Sequence, residues 1–173
     1  MRKGLSGWVL WLMLAGLPAC GLMGSSIPDP VHHELADLQI QIDAPKAWTI
    51  EEDPKLHRMY LYAGKSGDRD HGLMIQRLGA KIGWEKHAGR FKDKQDIMLD
   101  KIVDEGPHEL GTGGLRYETR REVEGKPAVV KHMYYVQGSE WTWLMTLSAP
   151  QDKFNKSLFE HVAKTFKPPG SGG

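Results

Sequence analysis

The stretch that decides the fold is EWTWLMTLSAPQDKFNKSLFEHVAKTFK, residues 140–167. Its first part alternates: Trp141, Trp143, Met145 and Leu147 share one face, while Leu144 sits among Thr142 and Thr146 on the other, which is the period of a strand. A strand with one aromatic and aliphatic face, and a leucine on the other, belongs inside a sheet with its aromatic face under a helix. Pro150 closes that strand. From Gln151 or Asp152 the period changes, and Phe154, Leu158, Phe159, Val162 and Phe166 recur at helical spacing with Lys153, Lys156, Glu160 and Lys164 between them. The chain thus supplies, back to back, an inner strand and the helix that covers it. Pro168, Pro169 and the glycine-rich end stop regular structure, so residues 168–173 read as a disordered tail.

Working backwards, residues 115–123, 128–137 and 140–149 are three long strand candidates punctuated by turns at Glu124 to Pro127 and at Gly138 with Ser139, the pattern of an antiparallel meander. Arg116, Glu118, Arg120 and Glu122 share one face of the first, which reads as a solvated charge ladder. Residues 91–104 predict a helix with Phe91, Met98, Leu99 and Ile102 on one side and Lys92, Lys94, Asp96, Asp100 and Lys101 on the other, ended by Gly106 and Pro107. Further back, Leu38, Ile40 and Ile42 alternate with polar residues, Pro45 and Trp48 mark a turn and an aromatic anchor, and residues 57–63 and 72–78 are strand candidates around the polar loop from Gly64 to Gly72. The sum is an α+β domain, an antiparallel β-sheet flanked by helices in an α/β/α sandwich.

The N-terminus is of another kind. Arg2 and Lys3 precede an apolar run from Trp8 to Leu14, and Leu17-Pro18-Ala19 stands directly before Cys20, the sole cysteine. A basic segment followed by a short apolar one is the make-up of an export signal, and its junction resembles a bacterial lipobox. The resemblance implies that residues 1–19 are a lipoprotein signal peptide, and that Cys20 is the lipidation site, carrying diacylglycerol and a fatty acyl group such as palmitate. Gly21 lacks the acidic character of an inner-membrane retention signal and points to the periplasmic face of the outer membrane. Residues 20–35 then read as the lipidated cysteine and a flexible tether, and residues 36–167 as one domain.

The chain has Lys plus Arg 23 against Asp plus Glu 22, so nothing advertises nucleic acid, whose binding rests on clustered cations. With one cysteine there is no intramolecular disulfide, and the domain depends on packing. Chemistry is equally hard to find. Gly64-Lys65-Ser66 matches the end of a phosphate loop only in part, because Met59 occupies the required upstream glycine position. His32 with His33, and Asp68 with Asp70 and His71, match no metal-binding spacing. His57, His71, His87, His108, His132 and His161 are scattered, and no serine sits in a nucleophile elbow. The expectation is a protein that is not an enzyme, with no cofactor and no metal.

The layout as a whole, an opening strand into Pro45 and Trp48, a mid-chain helix, a glycine-marked turn into a meander, then Leu147-Ser148-Ala149-Pro150 and a helix closing on Thr165-Phe166-Lys167, resembles the PsbP-like (DcrB-like) group, which includes bacterial lipoproteins. The resemblance implies a central antiparallel sheet with helices on both sides, no shared catalytic residues, and a role as a binding or assembly accessory. Two functions follow as expectations. The first is a non-catalytic cell-envelope lipoprotein, held at the membrane by acylated Cys20, that binds an envelope protein partner. The alternative is a small-molecule or lipid-binding module in which Trp84, Trp141, Trp143, Tyr134 and Tyr135 line an apolar pocket. A deep pocket favours the second, and a sealed core with an exposed apolar patch favours the first.

Overall fold

The computed structural model describes residues 27–79, 82–110 and 113–168. The signal peptide, Cys20 and residues 169–173 of the expected tail lie outside the described residues. Among those described, the order is β1 (Pro30–Leu35), β2 (Ile40–Pro45), β3 (Thr49–Asp53), β4 (Arg58–Tyr62), β5 (Gly72–Arg77), α1 (Trp84–Lys92), β6 (Lys101–His108), β7 (Gly114–Val123), β8 (Lys126–Gln137), β9 (Thr142–Pro150) and α2 (Lys156–Lys164). One seven-stranded antiparallel sheet runs β3-β4-β5-β9-β8-β7-β6, and β1 and β2 form a separate ribbon. The fold is α+β, as expected.

β9 is the middle strand of the seven. Trp143, Met145 and Leu147 on one of its faces are all 0 % exposed, packed with Phe159, Val162 and Phe166 beneath α2. Leu144 on the other face joins Ala88, Tyr117, Met133 and Tyr135 beneath α1. Two helices on two faces account for two separate cores. The ribbon completes the larger one: Ile42 and Ala44 enter it, and β2 runs beside the end of α2, where Gln41 and Lys167 exchange backbone hydrogen bonds of 3.0 and 2.9 Å.

α2 begins later than Gln151 or Asp152. Those residues form a short 3-10 turn, Gln151–Lys153, and the cap is Asn155, whose side-chain oxygen accepts from the Leu158 N–H at 3.0 Å. Phe154 therefore precedes the helix, and its ring meets Phe159 edge-on at 4.9 Å, the staple between the residue before the cap and the fourth helical residue.

Two expectations are corrected. The tether expected through residue 35 ends sooner, because Pro30–Leu35 is the strand β1, paired antiparallel from Pro30 opposite Pro45 to Leu35 opposite Ile40. Leu35 is buried and Val31 and His33 are half-buried, an alternation hidden in sequence by the neighbouring histidines. The helix expected over 91–104 does not form either. α1 stops at Lys92, residues 93–100 form a turn, and the last four residues of that stretch enter β6. The reason is tertiary. β7 would otherwise be an unpaired edge, and β-branched Ile102 and Val103 suit a strand that satisfies its backbone groups. Gly106 and Pro107 lie inside β6, where proline is tolerated because β6 is itself an edge.

Candidate functional site

The five aromatics named from sequence do not come together. Tyr134 and Tyr135 are consecutive in β8 and so face opposite sides of the sheet. Tyr135 packs edge-on against Tyr117 at 5.9 Å beneath α1, and burial pushes its hydroxyl pKa up. Trp84, at the start of α1, is half-buried against the same smaller core. Trp143 fills the other core completely, its indole N–H donating to the Leu38 carbonyl at 3.1 Å. Trp141 is half-buried at the rim, with the Arg77 guanidinium 4.6 Å from its ring centre. Only Tyr134 of the five lines one of the described cavities, between β8 and α2. Trp141 and Trp143 pack against the larger core, and Trp84 and Tyr135 against the smaller one.

What the sheet leaves open lies at the β6 edge. The segment between α1 and β6 folds into a turn that holds Ile97 and Leu99 outward at 79 % and 76 % exposure, and Val103 of β6 stands beside them at 56 %. With Met98, these aliphatic residues line a shallow concavity of about 560 Å³ bordered by Lys101, Arg120 and Glu122.

This turn is braced from within. The Gln95 side chain accepts from the Ile102 N–H at 2.8 Å and donates to the Asp100 carbonyl at 3.4 Å. The Lys101 ammonium donates to the Gln95 carbonyl and, at 3.4 Å, to that of Asp96. Beneath it, Asp100 accepts from the Lys131 ammonium at 2.9 Å, and Asp70 pairs with Arg121. Asp70 reaches in from the loop between β4 and β5, so four segments are tied at one point. Lys131 and Arg121 are only 15 % and 22 % exposed, so these pairs are better shielded than ordinary surface pairs. Asp68, Asp70 and His71 are thus a turn with a structural ion pair.

The histidines stay dispersed, yet two are informative. His108 donates from Nε2 to the Tyr135 carbonyl at 2.9 Å and accepts at Nδ1 from the Leu110 N–H at 3.1 Å. Both nitrogens are used by the neutral ring, and burial lowers its pKa. His132 is 2 % exposed between Phe154 and Tyr134, with Nε2 3.2 Å from a Glu118 oxygen and Nδ1 buried without a partner among the described residues. Burial, first, lowers its pKa against the opposing pull of Glu118. The charge ladder does lie on one face, where Arg116 bridges Asp104 at 2.5 Å and Glu118 at 3.5 Å. Asp104 is held below the usual carboxylate range by that Arg116 bond.

A seven-stranded antiparallel sheet, a helix on each face and a flanking ribbon define a PsbP-like sandwich. No protein-family model and no curated protein matches the chain. Among solved structures it is similar to cyanobacterial PsbP (CyanoP) from Synechocystis sp. PCC 6803, with TM-score 0.58 and 15 % identity over 88 % of this chain and 98 % of that one. A Bacteroides thetaiotaomicron VPI-5482 protein aligns with TM-score 0.54 and 14 % identity over 79 % of this chain, which spans 47 % of that protein. PA94 from Pseudomonas aeruginosa, of unknown function, aligns with TM-score 0.51 and 11 % identity over 80 % of this chain and 96 % of its own. These likenesses establish the fold. No helix among the described residues is long and apolar enough to cross a membrane.

Proposed function

We propose that this protein is a non-catalytic cell-envelope accessory, anchored by acylated Cys20 to the periplasmic face of the outer membrane, that binds an envelope protein through the aliphatic surface of Ile97, Leu99 and Val103. The observation that carries the reading is the rigid display of those side chains. Each exposed aliphatic group forgoes the roughly 1.5–3 kcal/mol that burial would give. Yet the turn that carries them is fastened by side-chain hydrogen bonds, so the exposure is a fixed feature of the fold. Clustered aliphatic side chains with a charged rim suit a protein surface that buries them on contact. The β6 edge itself is blunted by an irregularity between Ile102 and Asp104 and by Pro107, which directs a partner to the side chains instead of to the open backbone.

The test is a crosslinking pull-down from detergent-solubilised envelope with the full-length acylated chain as bait, beside the Ile97→Asp/Leu99→Asp variant. The expected result is a partner recovered with the parent and lost with the variant at unchanged unfolding midpoint. Equal recovery by both removes the patch from the function, and failure of Cys20→Ser to abolish palmitate labelling removes the anchor.

A further inference from the structure

The cavity between β8 and the C-terminal half of α2 lies on the other face of the sheet from the braced turn's ion-pair cluster and plays no part in the docking proposal. Its volume is about 390 Å³, near the lower end of the range of roughly 300–1,000 Å³ typical of small-molecule sites. Tyr134, Leu110, Ala163 and Phe166 give it apolar walls, and His108, Glu109, Glu160 and Lys164 its polar ones. His108 is neutral, because its two ring nitrogens are already spent on the Tyr135 carbonyl and the Leu110 N–H. Glu160 lies 3.9 Å from Lys156, one turn back along α2. Arg116, on the sheet, is taken by Asp104 and Glu118. That leaves Lys164 and Glu109, both exposed, which enter no ion pair among the described residues.

We propose that this cavity binds a small α-amino acid with an apolar side chain. An anion alone would gain from Lys164 but meet Glu109 and Glu160, and a cation alone would meet the reverse. A zwitterion satisfies both signs at once, its carboxylate toward Lys164 and its ammonium toward Glu109, while its side chain lies against Tyr134 and Phe166. Burial pushes the Tyr134 hydroxyl up to about 12, so it stays protonated at neutral pH and presents an uncharged ring. The cavity is large enough for one such molecule.

The probe is L-phenylalanine, titrated into the full-length chain in detergent micelles and followed by calorimetry and by the NMR signals of the Tyr134 ring. Phenethylamine and 3-phenylpropionate keep the ring and each delete one charge. Phenylalanine is expected to shift the Tyr134 signals and to bind at least tenfold more tightly than either analogue. Lys164→Gln should erase its advantage over phenethylamine, and Glu109→Gln its advantage over 3-phenylpropionate. Both residues are exposed, so unfolding midpoints at the parent value verify that the variants are folded. Analogues that bind as well as phenylalanine, variants that keep the full discrimination, or no shift of Tyr134 at millimolar phenylalanine would each overturn the proposal.

Discussion

Replacement of Trp143 separates a filled core from a pocket wall. The indole is 0 % exposed, its ring meets Phe166 edge-on at 6.2 Å, and its N–H is the bond that fastens the Leu38 carbonyl and hence the turn into β2. Truncation of a buried Trp or Phe to alanine costs about 3–5 kcal/mol through lost transfer energy and the cavity left behind. A buried carbonyl without its donor adds about 1 kcal/mol. Trp143→Ala should therefore lose about 4–6 kcal/mol, a large part of the roughly 5–15 kcal/mol that holds a domain together. With a urea m-value of about 2 kcal/mol/M the midpoint falls by about 2–3 M. Trp143→Phe keeps most of the ring and removes only the N–H, so it should cost about 1–3 kcal/mol. Phe159→Ala is the companion: its ring touches both Trp48 at 6.1 Å and Phe154 at 4.9 Å, and its loss should cost about 3–5 kcal/mol. The assay is urea unfolding followed by far-UV circular dichroism. A Trp143→Ala midpoint within about 0.5 M of the parent, beside a large drop for Phe159→Ala, would refute the filled core, since a wall that already borders a void loses little on truncation.

Acidification should destabilise the domain. The folded-state pKa values of His108 and His132 are lowered, mainly by burial, so below the ordinary value of 6.5 the unfolded chain binds more protons than the folded one. Stability is fully present above 6.5 and is lost as pH falls from there toward the folded values. Thermal midpoints should drop between about pH 7 and 5, less steeply in His132→Gln, and a flat profile contradicts the neutral burial of both rings. Asp100→Ala should cost about 1–3 kcal/mol by stripping Lys131 of its 2.9 Å partner, and should speed amide exchange over residues 93–100; unchanged exchange would show that the turn does not depend on this tie. Gly138→Ala should also destabilise, because a Cβ there would sit 2.5 Å from the Trp143 ring, which has no room to retreat; a parent-like midpoint in thermal unfolding would show that it does.

The larger core was legible because its elements carry their own signal. β9 alternates without interruption, and α2 repeats its apolar residues over more than two turns, so each names its face independently of the other. The meander β7-β8-β9 was legible for the same reason, with Gly125 at φ +68 making the first turn. The elements that were missed are those whose reason to exist lies elsewhere in the chain. β1 has little pattern of its own and is ordered by β2, while β3 is a five-residue edge strand whose residues are mostly exposed. β6 is chosen over a helix because β7 offers a ladder. Local spacing cannot report a partner that lies remote in sequence.

The exposed aliphatic patch was missed for a different reason, and its signal was present. Ile97, Met98 and Leu99 are consecutive between Asp96 and Asp100. At about 100° per residue, three consecutive apolar side chains span about 200° of a helix, wider than one buried stripe, so no single helical face can hide them all. Assigning Met98 and Leu99 to the covered side left Ile97 unexplained. A helix that must expose an isoleucine whichever way it turns competes poorly with a turn that exposes two aliphatic groups but gains the ladder of β6, the two bonds of Gln95 and the ion pairs of Asp100. The exposure is thus the local consequence of a globally better arrangement. A segment already obliged to present apolar groups on a rigid support is well suited to be taken over as a binding surface.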